Sequence, residues 1–163
     1  MPASSPAIVH AALGGAFAIH DRHPDYDRVV ARFLDIYAGR LCDDSRLFDG
    51  IPELLDTVEA LRLGWGIVTN KRMRFNDPLV AWLQLAPRTP CVVSGDTTAA
   101  AKPSPLPILH ACALLGCVPQ RTLYVGDDRR DIEAGRNAGC RTVAVSYGYL
   151  GHSGPLATWG AAS

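Results

Sequence analysis

Three short stretches of this sequence combine residue types that handle phosphate: Ile67-Val68-Thr69-Asn70-Lys71, Ala101-Lys102-Pro103 and Gly126-Asp127-Asp128-Arg129-Arg130-Asp131. A hydroxyl and the backbone N–H that follows it, as at Thr69-Asn70, can together grip a phosphate oxygen. Lys102 can neutralise charge on a phosphoryl group and on a carboxylate that attacks it. Asp127 and Asp131 stand four residues apart, at a strand end and on the next helical turn, so both can face one point. Hard oxygen ligands of this kind suit Mg²⁺, which needs only one or two carboxylates and keeps several waters. Each stretch also has a plainer reading. Thr69 can cap the next helix, Lys102 can be a solvated lysine, and the aspartates can serve a helix dipole.

The elements that must position these residues follow from the apolar pattern. Residues 6–45 read as helical, with Ile8, Val9, Ala12, Leu13 and Ala16 on one face and Val29, Val30, Phe33, Leu34 and Tyr37 on another. Asp25 and Asp27 stand just ahead of the second run, where they favour a helix N-terminus. A helix is expected from Pro52 to Ala60, with Leu54, Leu55, Val58 and Leu61 inward and Gly64 ending it. Further helices are expected over 76–85, 106–115 (closed by Gly116) and 131–138 (closed by Gly139). Short apolar runs at 65–69, 91–94, 123–125 and 142–145 read as strands. Strands alternating with helices at this spacing predict an α/β fold with a parallel sheet covered on both faces. In such a sheet ligands gather beyond the carboxyl ends of the strands, and all three polar stretches fall there. The Gly/Ser/Ala-rich end after Gly151 has little to pack and is expected to be loose.

Composition narrows the class. The chain has 163 residues, 48% of them hydrophobic, and a formal net charge of zero. That is enough for one domain with a real core. No run of Lys and Arg marks a nucleic-acid surface, and no stretch is long or apolar enough to span a bilayer. The apolar stretch 7–19 lacks a preceding Lys or Arg and reads as a buried helix rather than a secretion signal. Five scattered cysteines without a C-x-x-C pair point to reduced core thiols in a cytoplasmic protein.

The order Thr69, Lys102, Asp127-Asp128 across successive strand ends resembles the haloacid dehalogenase (HAD) superfamily of phosphatases. The flanking segments Leu47-Phe48-Asp49-Gly50-Ile51-Pro52-Glu53-Leu54-Leu55, Trp65-Gly66-Ile67-Val68-Thr69-Asn70-Lys71, Val93-Ser94-Gly95-Asp96-Thr97-Thr98 and Tyr147-Gly148-Tyr149-Leu150-Gly151 are similar to its phosphoglycolate phosphatase branch. The resemblance covers about residues 6–160. It implies a three-layer, Rossmann-like core over 46–163 and part of a helical cap over 1–45. It also implies hydrolysis of a small phosphate monoester, such as phosphoglycolate, through an aspartyl-phosphate with Mg²⁺. By the family pattern Thr69 and Asn70 hold phosphate, Lys102 pairs with nucleophile and phosphate, and Thr69 and Lys102 assist catalysis. Asp127 binds Mg²⁺, Asp131 supports the metal directly or through water, and Asp128 hydrogen-bonds locally.

The family's first strand ends in Asp-x-Asp-Gly-Thr, whose first Asp attacks phosphorus and whose second is general acid and base. The one Asp-x-Asp here, Asp25-Tyr26-Asp27, precedes a helical pattern and is rejected as that motif. Phe48-Asp49-Gly50 lacks the second aspartate and enters a helix. The resemblance therefore implies a chain truncated at both ends, lacking the central nucleophile strand, with a gap beside the Thr69 and Asp127 strands. Such a chain is expected to be inactive alone, and its exposed sheet edges to invite self-association or completion by another chain. Two other readings compete with this one. One is a non-catalytic phosphate- or Mg²⁺-binding regulatory module. The other is a receiver-type phosphoacceptor, which needs its acidic pair early in the chain.

Overall fold

The computed structural model describes residues 23–148 and 154–161. The helix expected over 7–19 lies outside them. Asp25 is the N-cap of α1 (Tyr26–Gly39) and Asp27 sits in its first turn, as the charge pattern predicts. Helix α2 (Ile51–Ala60) carries Pro52 in its first turn, where the missing N–H costs nothing. Then follow β1 (Ile67–Val68), α3 (Met73–Trp82), β2 (Val92–Val93), α4 (Leu106–Leu114), β3 (Leu123–Gly126), α5 (Arg129–Ala138) and β4 (Arg141–Ala144). Gly116 and Gly139, both at positive φ, close α4 and α5 as expected.

Strands pair in parallel, in two separate pairs among the described residues. Ile67 lies opposite Val92 and Val68 opposite Val93, and the ladder continues where Thr69 N–H donates to the Val93 carbonyl at 2.9 Å. In the second pair Leu123 faces Arg141 and Gly126 faces Ala144. One core nevertheless joins them. Ile108 and Cys112 of α4 pack with Ala134 and Ala138 of α5 and with Cys140, and Cys91, Val93 and Ala111 form a second cluster. Val68 packs against both clusters, so α4 and one strand residue stitch the pairs together. The result is an α/β, Rossmann-like arrangement with an incomplete sheet, as the sequence predicts.

Five expectations need correction. The third helix spans Met73–Trp82 rather than 76–85. One face of β3 is not covered, since Leu123 and Val125 are exposed. Leu54 and Leu61 are not inward but 54% and 65% exposed, because no described element covers that face of α2. The left-handed turn after α2 falls on Arg62 (φ 56°), not on Gly64. The tail is not wholly loose: a 3₁₀ turn at Leu156–Thr158 delivers Trp159, only 3% exposed, into the core. Gly160 there lies so close to α5 that a Cβ would fall 2.4 Å from Arg136 Nη1. A single indole carries enough apolar area to anchor a segment that composition alone marks as weak.

Candidate active site

Asn70, Lys102 and Asp131 come into contact, with Thr69 next in the chain after β1 and Asp127 next after β3. Lys102 is the centre. Its ammonium donates to the Val68 carbonyl (2.9 Å), to the Tyr124 hydroxyl (3.0 Å) and to Asp131 Oδ1 (2.5 Å). Both side chains of the Lys102–Asp131 pair are 9% exposed, so the reading of Lys102 as a solvated lysine is excluded. Burial alone would pull its pKa down, but the Tyr124 oxygen and the Asp131 carboxylate outweigh this and hold it above the ordinary lysine value. The lysine therefore stays charged, and it crosses from β1 to β3 where no backbone ladder joins them.

Asn70 fixes this arrangement from the main chain. Its Nδ2 donates to the Lys102 carbonyl and its Oδ1 accepts from the Lys102 N–H, both at 2.9 Å. The loop after β1 and the Ala101-Lys102-Pro103 loop are thus clamped together 32 residues apart in sequence. Thr69 does not cap the next helix. Its Oγ1 accepts from the Lys71 N–H at 3.1 Å, while the N-cap of α3 is Arg72 and the Met73 N–H is met by Asp96 Oδ1 at 2.8 Å. The Thr69 hydroxyl is left at the mouth of β1 with its own proton available to a ligand.

Asp127 ends β3, half-buried, under the turn that follows β4. Gly148 approaches so closely that a Cβ there would lie 2.2 Å from Asp127 Oδ2. Asp128 is the N-cap of α5: its carboxylate accepts from the Arg130 N–H at 2.8 Å and from the Arg130 guanidinium at 2.6 Å. The Arg130 side chain holds its carboxyl below the usual range. Asp131 completes a capping box by accepting the Asp128 N–H on Oδ2 at 3.2 Å while Oδ1 faces Lys102. Gly126 makes room for it, since a Cβ there would sit 2.3 Å from Asp131 Cβ.

Both Asp131 oxygens and the Asp128 carboxylate are thus engaged by neighbouring groups of the chain. Among the described residues no three His, Cys, Asp or Glu gather as a metal cage. The donor set fits Mg²⁺ of the kind held by one carboxylate, water and substrate phosphate. Tyr124 is the residue that the sequence reading passed over. A phenol within a strand, two positions before Gly126, is the available signal: its hydroxyl needs a partner there. Burial pushes its pKa up.

The sequence matches the haloacid dehalogenase-like hydrolase family over residues 10–145, and the chain belongs to that family. It is 44% identical over 151 residues to an N-acetylmuramic acid 6-phosphate phosphatase of Pseudomonas aeruginosa, covering 93% of this chain and 67% of that protein. It is 36% identical over 143 residues to a phosphoglycolate phosphatase of Chromobacterium violaceum, covering 88% of this chain and 64% of the relative. The chain thus spans about two thirds of the length of these relatives. A crystal structure described as a predicted phosphoglycolate phosphatase from Haemophilus somnus 129PT superposes with a TM-score of 0.84 at 27% identity, over 96% of this chain and 69% of that one. CbbY from Rhodobacter sphaeroides, solved in complex with phosphate, shares the fold with a TM-score of 0.72 at 20% identity, over 86% of this chain and 64% of that one. Among the described residues no helix is long and apolar enough to cross a membrane.

Proposed function

We propose that this chain houses the phosphate- and Mg²⁺-holding part of a HAD phosphatase site for a small phosphate monoester. The observation that supports this is the buried Lys102 ammonium, held between β1 and β3 by Val68, Tyr124 and Asp131, its backbone clamped by Asn70, with Thr69 and Asp127 directly following those two strands in the chain. Thr69 would bind a phosphoryl oxygen through its hydroxyl and the Asn70 N–H. Lys102 would hold charge on that group and on an attacking carboxylate. Asp127 would hold Mg²⁺, which when bound stabilises phosphoryl charge and orients the ester. Asp131 would act by positioning Lys102, with any support of the metal running through water.

Hydrolysis through an aspartyl-phosphate needs a second carboxylate opposite Lys102. No described acid fills that place: Asp131 is already paired, and Asp96 caps α3. We therefore expect the 163-residue chain alone to bind phosphate without turnover. The substrate belongs with the phosphate esters of acids in the names of its relatives, phosphoglycolate and N-acetylmuramic acid 6-phosphate. The test is a phosphate-release assay on both esters with Mg²⁺. Release at background is expected, and Mg²⁺-dependent turnover abolished by Asp127→Asn would overturn the inactivity.

A further inference from the structure

The segment from α1 to α2 lies across the strand ends at two points. On one side Tyr37 of α1 meets the Lys71 ammonium, which donates to its hydroxyl and sits 4.8 Å from its ring centroid. On the other, Phe48 packs on Tyr147 with ring centroids 5.3 Å apart, one residue before the Gly148 that covers Asp127.

Lys71 is the unusual group there. It is half-buried and lies two residues from Thr69, to whose hydroxyl its own N–H is bonded at 3.1 Å. Its carbonyl is tied to the Gly95 N–H at 2.8 Å, so its backbone is fixed. No described carboxylate pairs with it, nor with its neighbours Arg72 and Arg74, whereas Lys102 has Asp131. The hydroxyl that it meets belongs to a ring braced edge-on by Phe75 at 5.4 Å and stacked with Phe33 at 6.5 Å. A fixed, partly desolvated ammonium without a counter-charge beside a rigid phenol offers two donors to a single anionic group.

We propose that Lys71 and Tyr37 form a carboxylate-recognition pair that selects phosphate monoesters whose alcohol carries a carboxylate. This rests on the phosphate site proposed above and names its specificity. A monoanion with two acceptor oxygens matches one ammonium and one hydroxyl. An ester with an uncharged alcohol leaves the ammonium uncompensated.

The test is calorimetric titration of the 163-residue chain in Mg²⁺ with inorganic phosphate, 2-phosphoglycolate and ethyl phosphate. The wild type binds 2-phosphoglycolate about tenfold more tightly than ethyl phosphate, the scale of one charge-assisted hydrogen bond. Lys71→Met removes that preference and leaves inorganic phosphate affinity unchanged. Lys71→Arg keeps the preference, and Tyr37→Phe reduces it. Equal affinity for the two esters in the wild type overturns the pair while leaving the phosphate site standing. Equal losses for all three ligands in a folded Lys71→Met chain also overturn it, since Lys71 would then serve phosphate or structure. Failure of inorganic phosphate to bind the wild type overturns the phosphate site itself, and the pair with it.

Discussion

Lys102 and Asp131 are worth more to the molecule as a pair than either is alone. Each is taken out of water, and the desolvation is offset by their contact, by the Tyr124 and Val68 oxygens around the ammonium and by the Asp128 N–H on the carboxylate. Asp131→Asn keeps the shape but leaves a buried cation without its counter-charge. That change should cost about 3–5 kcal/mol in urea or guanidinium unfolding, far above the 0–1 kcal/mol typical of an exposed pair. A cost below about 1 kcal/mol would show that the pair is solvated. The identity of these residues was legible in the sequence, but their division of labour was not. Asp127 and Asp131 share one helical face on spacing alone, and only the position of Lys102 shows that Asp131 is engaged by a lysine. Nor did the sequence show that the Asn70 side-chain amide clamps the Lys102 backbone.

At the scale of elements, α5 carries the acidic end of the site and is held by its own N-terminal chemistry. Asp128→Ala removes the cap and should cost about 1 kcal/mol near neutral pH. Because Arg130 lowers the Asp128 pKa in the folded chain, this contribution is complete above the ordinary aspartate value of about 3.9. It fades as pH falls through the lower folded value. The wild type and the alanine variant should therefore converge in stability in acid, which denaturant melts from pH 7 down to pH 2 would record. A gap that persists unchanged at pH 2 would place the cost in packing. Strand and helix types were readable where Gly or Pro bounds the run, as Pro90 and Gly95 bound 91–94. The inward face of α2 was misread because periodicity reports that a stripe is apolar, not that something lies against it; Leu54 and Leu61 show the difference.

Among the described residues, two strand pairs share one core but no ladder, and side chains link them. Lys102 and Tyr124 supply those links, and both titrate above their ordinary values in the fold. The folded chain thus keeps these protons more tightly than the unfolded one. The resulting stability is whole below about pH 10, where the unfolded groups begin to titrate, and it is lost as pH rises through the folded values. Unfolding midpoints should fall above pH 10, and less steeply in Tyr124→Phe. An identical alkaline slope in the variant would remove Tyr124 from this account. The parallel α/β plan was legible from alternating runs. The tail was not, because one indole, Trp159, outweighs a weak composition.

The proposed phosphate site joins Thr69, Lys102 and Asp127, with Asp127 as the group that would hold Mg²⁺. Calorimetric titration of inorganic phosphate into the chain, with and without Mg²⁺, tests it most directly. Binding that requires Mg²⁺ and is lost in both Asp127→Asn and Lys102→Met is the predicted result. Binding that is indifferent to Mg²⁺, or that survives Asp127→Asn unchanged, would contradict it.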